Sequence, residues 1–240
     1  MPLPKINTPI YEMELPSNGK KIKYRPFLVK EEKILLIALE TEDMKKISDG
    51  IIQILNNCII TRGIKVQSLA TFDIEYLFLN VRARSVGETV EVGLTCPDDG
   101  ETKVSVTIDI DAIKVQKNKN HKNIIKLDDK YSMKMKHPSF DQFIGDNFET
   151  NDKISDVEKT LVMITSCIEM VYDKEESFSA SECTKKELAE FVDQLNSKQF
   201  KEIENFFDTV PKLSHTVSIK NPETGVESDV VIEGLAGFFT

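Results

Sequence analysis

The chain lacks any long apolar run. No stretch approaches the roughly 18 residues of a membrane span, and the opening MPLPKINTPIYEMEL holds no apolar core of the signal-peptide kind. The expectation is a protein that folds and stays in the cytosol, or in something assembled there. Positive charge is also short: the formal net charge is −9. A duplex-binding protein needs clustered Lys and Arg. The one basic stretch, KVQKNKNHKNIIK at 114–126, carries no aromatic residue to stack on bases. It reads as a solvated loop and strand edge, and no nucleic-acid partner is expected.

Paired cysteines are missing as well. Cys58, Cys96, Cys167 and Cys183 lie far apart, which is no disulfide framework. Cys58 and Cys167 sit inside apolar helical patterns, IIQILNNCII and LVMITSCIEMV, and read as small buried core residues. Cys96 opens CPDDG, which looks like half of a zinc knuckle. A knuckle needs a second cysteine two or three residues on, where Asp98 and Asp99 stand. His121, His137 and His215 show no ligand spacing; His137, before Pro138, and His215, within a strand pattern, read as structural. The chain has no Walker loop, no G-x-G-x-x-G and no G-x-S-x-G. DIDAI and DDK lack the oxygen ligands of a calcium loop. The adjacent acidic pairs 31–32, 98–99, 128–129 and 175–176 do not share a face on helix or strand, and read as surface and turns. No metal, cofactor, catalytic residue or small-molecule substrate is therefore expected.

What is present is ordinary globular composition, 40% hydrophobic and 30% charged over 240 residues. Residues 1–10 hold three prolines and little periodicity, and read as an extended arm that needs a neighbour to order it. Tyr11, Met13 and Leu15, then Ile22 and Tyr24, alternate around Asn18-Gly19, a strong hairpin signal. The period then changes. Leu28, Leu35, Leu36 and Leu39, followed by Ile47, Ile51, Ile54, Leu55 and Cys58, predict two amphipathic helices broken near Thr41. A third helix is predicted over 71–85, with Gly87 as its C-terminal cap. Residues 88–111 read as a second hairpin connected by CPDDGE, and 123–138 as a third with Asp128-Asp129 at its turn. From 139 the pattern is helical through FDQFIGDNF, ISDVEKTLVMITSCIEMVYD, TKKELAEFVDQLN and SKQFKEIENFFDTV. Thr184 with Glu187 forms a capping box, Ser197 is the next N-cap, and Pro211 follows the last helix. A final hairpin and an apolar tail close the chain. Strands and helices are segregated, so the fold class is α+β: helical bundles with small antiparallel hairpins and sheets. The expected organisation is an arm over 1–10, a region of hairpins and helices over 11–138, and a helical region with hairpin and tail over 139–240.

Two turns echo each other. Pro97-Asp98-Asp99-Gly100 and Pro222-Glu223-Thr224-Gly225 place Pro, an acid and Gly alike, with Asn221 in the place of Cys96. Pro fixes φ, the acid bonds nearby backbone and Gly takes φ > 0. A turn that accepts Cys or Asn does not require metal, and an internal duplication is one reading of the pair. Apolar chain ends stand out more. Leu3, Ile6 and Ile10 lie in the arm, and Leu235, Phe238 and Phe239 in the tail. Apolar ends either dock on their own domain or insert into a partner, and the arm favours a partner. Arg25-Pro26-Phe27 is expected to fix how the first hairpin meets its helix, with Arg25 also a candidate for a carboxylate on a partner.

The block YRPFLVKEEKILLIALE at 24–40, and the ending I-x-G-L-x-x-F-F from Ile232 to Phe239 after a Phe-rich helix and a hairpin, resemble the baseplate protein family of contractile-tailed, T-even-like bacteriophages. The likeness is firmest over 24–40 and spreads over most of the chain. It implies a subunit or assembly factor of the tail baseplate, its central hub in particular, contacting other baseplate and tail proteins. It also implies assembly in the host cytoplasm and residence in the virion tail baseplate. Some relatives carry Cys-x-x-Cys knuckles in these hairpins; this sequence keeps only Cys96. Two other readings stand beside a non-enzymatic component: a tail assembly chaperone absent from the finished virion, and an enzyme with an unrecognised site at Cys96 and a histidine.

Overall fold

The structure is a computed structural model that describes residues 6–41, 43–140 and 155–238. The chain forms two compact units. Unit 1 comprises residues 1–116 and 212–240, and unit 2 comprises 117–211. This division parts from the one expected at 138. Ser132 of one strand pairs with Tyr172 of the next across that point, and Lys212–Ser214 returns to pair with Lys114–Gln116. Neither pairing is visible to local periodicity.

In unit 1, β1 (Tyr11–Glu14) and β2 (Lys21–Tyr24) form the first hairpin, with Tyr11 opposite Tyr24 and Met13 opposite Ile22. Its inner side buries Ile22 and Tyr24, and Leu15 beyond β1. Helices α1 (Val29–Glu40) and α2 (Met44–Cys58) follow, broken at Thr41 as predicted. Asp43 caps α2 by accepting from the N–H groups of Lys45 and Lys46. Helix α3 (Thr71–Ala83) is the centre of the unit: Phe72, Ile74, Leu77, Phe78, Leu79 and Val81 are all buried. Its C-cap is Arg84, so Gly87 lies beyond the cap position assigned to it. The segment leaves the helix before Gly87 is reached. β3 (Thr89–Thr95) and β4 (Lys103–Asp109) form the second hairpin, burying Val90, Val92 and Leu94 on one face. β5 (Lys114–Gln116), β10 (Lys212–Lys220) and β11 (Glu227–Glu233) make a three-stranded sheet in the order β11-β10-β5.

Unit 2 is a four-stranded antiparallel sheet, ordered β6 (Ile124–Lys126), β7 (Ser132–Met135), β8 (Ile168–Tyr172), β9 (Ser177–Ser179). Its core joins Ile125, Met133 and Met135 of the sheet to Ile164 and Cys167 of α4 (Asp156–Cys167). Val192 of α5 (Lys185–Asp193) and Ile203 and Phe206 of α6 (Ser197–Asp208) complete it. Here the helical reading of ISDVEKTLVMITSCIEMVYD is corrected. The helix stops at Cys167, and Ile168–Tyr172 is strand β8, paired on both sides. IEMVY carries β-branched and aromatic residues that suit a strand, and its β7 partners lie about 35 residues away in sequence, outside any local window, while β9 follows within about 8. The N-cap of α6 is Asn196, one residue before Ser197; its side chain accepts from Lys198 and Gln199 while Gln199 returns to the Asn196 N–H. The Thr184–Glu187 capping box forms as expected. The helix expected through FDQFIGDNF lies, beyond Phe140, outside the described residues. The basic stretch 114–126 is β5, a loop and β6. The fold is α+β.

Candidate functional site

In the arm, Ile6 is 91% exposed and Ile10 is 61% exposed; Leu3 lies outside the described residues. At the other end, Leu235–Phe238 forms a 3-10 turn entered through Gly234 at φ 66. Leu235 is buried, and its N–H donates to Glu75 Oε1 of α3 at 3.1 Å. Gly237 sits so close to Ile232 that a Cβ there would come within 2.8 Å of it. The tail as far as Leu235 is thus seated on unit 1. Glu75 carries a cost for holding it. Burial pushes its pKa up to about 7, and the Leu235 N–H offsets only part of that. Phe238 ends the turn and Phe239 lies outside the described residues.

The Arg25-Pro26-Phe27 junction is engaged inside the chain. Arg25 donates from its backbone to the Cys58 carbonyl at 3.0 Å. Its guanidinium meets the Glu31 carboxylate at 3.1 Å and the Pro26 carbonyl at 2.8 Å. Glu31 also accepts from the Leu28 N–H at 2.9 Å. Burial works against that carboxylate, but Arg25 and the Leu28 N–H more than offset it and hold its pKa below the usual range. The Cys58 thiol beside them is pushed up to about 11 by burial. Phe27 is buried, and its N–H donates to Ser85 Oγ at 2.9 Å. The hairpin, α1 and the end of α3 are pinned at one point. The carboxylate that Arg25 binds is its own chain's Glu31.

The hairpin tips answer the question raised by CPDDG. Gly100 donates its N–H to the Cys96 carbonyl at 2.9 Å, and Gly225 to the Asn221 carbonyl at 2.9 Å. Both glycines have positive φ, 70 and 76. A third turn has the same form: in Leu15-Pro16-Ser17-Asn18-Gly19, Gly19 at φ 71 donates to the Leu15 carbonyl at 2.8 Å. The second and third hairpins of unit 1 also meet tip to tip. The Asn221 amide, on a residue 1% exposed, donates to both Asp98 oxygens at 3.1 Å and to Asp99 Oδ2 at 2.8 Å. The Thr224 hydroxyl donates to Asp98 as well. Hydrogen bonds from Thr224 and then Asn221 lower the Asp98 pKa. Those from the Thr102 hydroxyl, the Glu101 N–H and Asn221 hold Asp99 far below the usual carboxylate range. Cys96 is buried, and burial together with Asp98 and Asp99 raises its thiol pKa. A raised, buried thiol is the opposite of an activated nucleophile. Among the described residues no histidine hydrogen-bonds to it, and no group of three or more His, Cys, Asp or Glu is placed to hold a metal ion.

Unit 2 brings together two histidines that spacing did not link. His121 Nε2 lies 3.1 Å from His137 Nε2, and His121 Nδ1 lies 3.0 Å from Thr209 Oγ1. Both rings pack on Phe206. Burial, then His121 and Lys117, push the His137 pKa down to about 4, and burial lowers that of His121, so both rings favour the neutral form at pH 7. An apolar groove of about 410 Å³ runs between sheet and helices, lined by Leu127, Ile168, Val171, Leu188, Phe191 and Leu195 among others. Its acids are already occupied: Asp128 accepts the N–H groups of Lys130 and Tyr131, and Glu187 is the capping-box acid. The described residues thus present exposed apolar side chains, an apolar groove in unit 2 and a hydrogen-bonded clasp between two hairpin tips.

No helix among the described residues is long and apolar enough to cross a membrane. No curated protein and no solved structure shows a significant match to the chain. A family model described as T4 bacteriophage base plate protein matches residues 8–240, which takes in both units and nearly the whole sequence, and the chain therefore belongs to the T4 bacteriophage base plate protein family.

Proposed function

We propose that this chain is a non-enzymatic component of the baseplate hub, acting through protein–protein contacts in tail assembly. Family membership supplies the baseplate. The observation that carries the rest is the arm: Ile6 and Ile10 stand 91% and 61% exposed, and the described residues 6–10 form no strand or helix. Isoleucines left in water gain by burial about 1.5–3 kcal/mol each against a partner. The docking elements are then Leu3, Ile6 and Ile10 at one end, and Phe238 and Phe239 at the other, carried on the Leu235 anchor. Arg25 and Phe27 hold the framework from which the arm departs.

Deleting residues 1–10, and separately 235–240, tests this by co-purification with other tail proteins. Loss of co-purification with the fold intact is expected for the arm deletion; unchanged assembly with both deletions removes these contacts from consideration. Mass spectrometry of purified virions separates a resident subunit, which is retained, from an assembly factor, which is absent.

A further inference from the structure

Helix α1 carries more apolar surface than its own unit covers. Leu28 at its N-cap is 40% exposed, Val29 66%, Leu36 54%, Ile37 63% and Leu39 41%. Its inward side is made by buried Glu31 and Ala38 with half-buried Ile34 and Leu35 between them. Helix α2 comes close on that side, where a Cβ on Gly50 would lie 3.3 Å from the Ala38 Cβ. Exposed Glu32, Lys33 and Glu40 stand among these side chains, so the outer face mixes large apolar groups with charges of both signs.

The charges on the open side select an occupant. At about 100° per residue, Val29, Lys33, Leu36, Ile37 and Glu40 fall in one stripe opposite Ala38. Lys33 and Glu40 lie about two turns apart and form no ion pair or hydrogen bond among the described residues. Laid parallel on a second α1, each would face its own kind, which costs free energy. Laid antiparallel with Leu36 over Ile37, Lys33 and Glu40 fall opposite each other, because both pairs are centred on the same point of the helix. Two-fold symmetry then makes every contact twice.

We propose that the outer face of α1 is a self-docking surface, on which a second copy of this chain packs antiparallel. Leu36 and Ile37 lie at the two-fold axis and Lys33 of each copy faces Glu40 of the partner subunit. The proposal goes beyond the reading based on the chain ends and concerns a different face, so the two fail separately.

Sedimentation equilibrium on the full-length chain tests it. The wild type is expected to dimerise in the micromolar range. Leu36→Asp is expected to weaken the dimer by roughly 30-fold or more, as for a central contact residue, with an unchanged circular dichroism spectrum. Lys33→Glu is expected to weaken it roughly tenfold by placing like charges opposite each other at both symmetry-related sites. The double variant Lys33→Glu/Glu40→Lys is expected to return most of that loss. A wild type that stays monomeric overturns the proposal, as does a dimer indifferent to Leu36→Asp. A double variant no better than Lys33→Glu overturns the antiparallel register. A monomeric wild type in which Leu36→Asp abolishes co-purification with tail proteins assigns the face to a different protein and overturns self-docking, whatever deletion of residues 1–10 does.

Discussion

Helices α1 and α3 look alike as strings and fare differently. VKEEKILLIALE and TFDIEYLFLNVRA are both apolar around much of their circumference. In α3 that surface is covered: Phe72, Ile74, Leu77, Phe78, Leu79 and Val81 are buried in unit 1. In α1 the buried apolar side chain is Ala38, while Leu36 and Ile37 face water. Their acids differ in parallel. Glu31 of α1 is sealed against Arg25 and its pKa is lowered. Glu75 of α3 has a backbone N–H and no cation among its partners, and its pKa is raised to about 7. Apolar content states how much cover a helix needs, not where the cover comes from, and a buried acid keeps its charge where a cation or several hydrogen-bond donors meet it, which a single N–H does not match.

The largest effect expected from this contrast is at the centre of α3. Phe78→Ala should destabilise unit 1 by about 3–5 kcal/mol in denaturant unfolding, through lost burial and the cavity left behind; a loss below about 1 kcal/mol would mean that α3 is not the core. Next comes Glu31→Gln, which strands Arg25. Breaking a buried ion pair costs about 3–5 kcal/mol, and the 15% exposure of Arg25 trims this to about 2–3. Because the folded pKa of Glu31 is depressed, its contribution is present above the unfolded value near 4.5 and lost as pH falls through the folded one. The difference from wild type should therefore shrink in acid, and a pH-independent difference refutes the ion pair as its source.

Glu75 carries the opposite sign. Its folded pKa of about 7 lies above the ordinary 4.5, so its contribution is most favourable below 4.5 and declines as pH rises to about 7. Glu75→Gln keeps an acceptor for the Leu235 N–H. It should raise the melting temperature at pH 8 and leave it unchanged near pH 4; its partial exposure holds the gain to about 1–2 kcal/mol. No gain at pH 8 would place the carboxylate in water. The smallest effect belongs to the outer face of α1. Leu36→Ser should change monomer stability by no more than about 0.5 kcal/mol, measured at a dilution where no self-association survives. A larger loss would show that α1 is covered within its own chain.

The same helices show what could be read from the string. The three hairpins of unit 1 were legible because their turns carry Pro, a polar residue and Gly at fixed places, and the hairpin at 123–138 because Asp128-Asp129 breaks its alternation; that chemistry is local. The end of the last helix before Pro211 was legible for the same reason, and the break near Thr41 because the apolar spacing lapses there. Strand β8 was not, because Ile164, Cys167 and Ile168 continue a helical spacing across the point where the chain changes conformation. The exposed stripe of α1 was hidden because Leu35 and Leu36 satisfy a helical period equally well when one of them faces water. For the candidate site, the likeness between CPDDG and NPETG was visible, but not that Asn221 reaches Asp98, 123 residues away. The His121–His137 pair and the β5–β10 pairing share that cause: they are set by tertiary folding, and no spacing rule encodes them.

The discontinuity of unit 1 has a consequence for how the protein is made. Strand β5 is complete by residue 116, but its neighbour β10 begins at 212, after all of unit 2. At about 5–20 residues per second, synthesis of the intervening chain takes roughly 5–20 s, far longer than the microseconds in which a hairpin closes. Through that interval the first hairpins and α3 stand ready while Asp98 waits for Asn221 and Glu75 for Leu235. The ribosome thus imposes an order of events: residues 117–211 are delivered whole before unit 1 receives its final sheet, its clasp and the turn that seals α3.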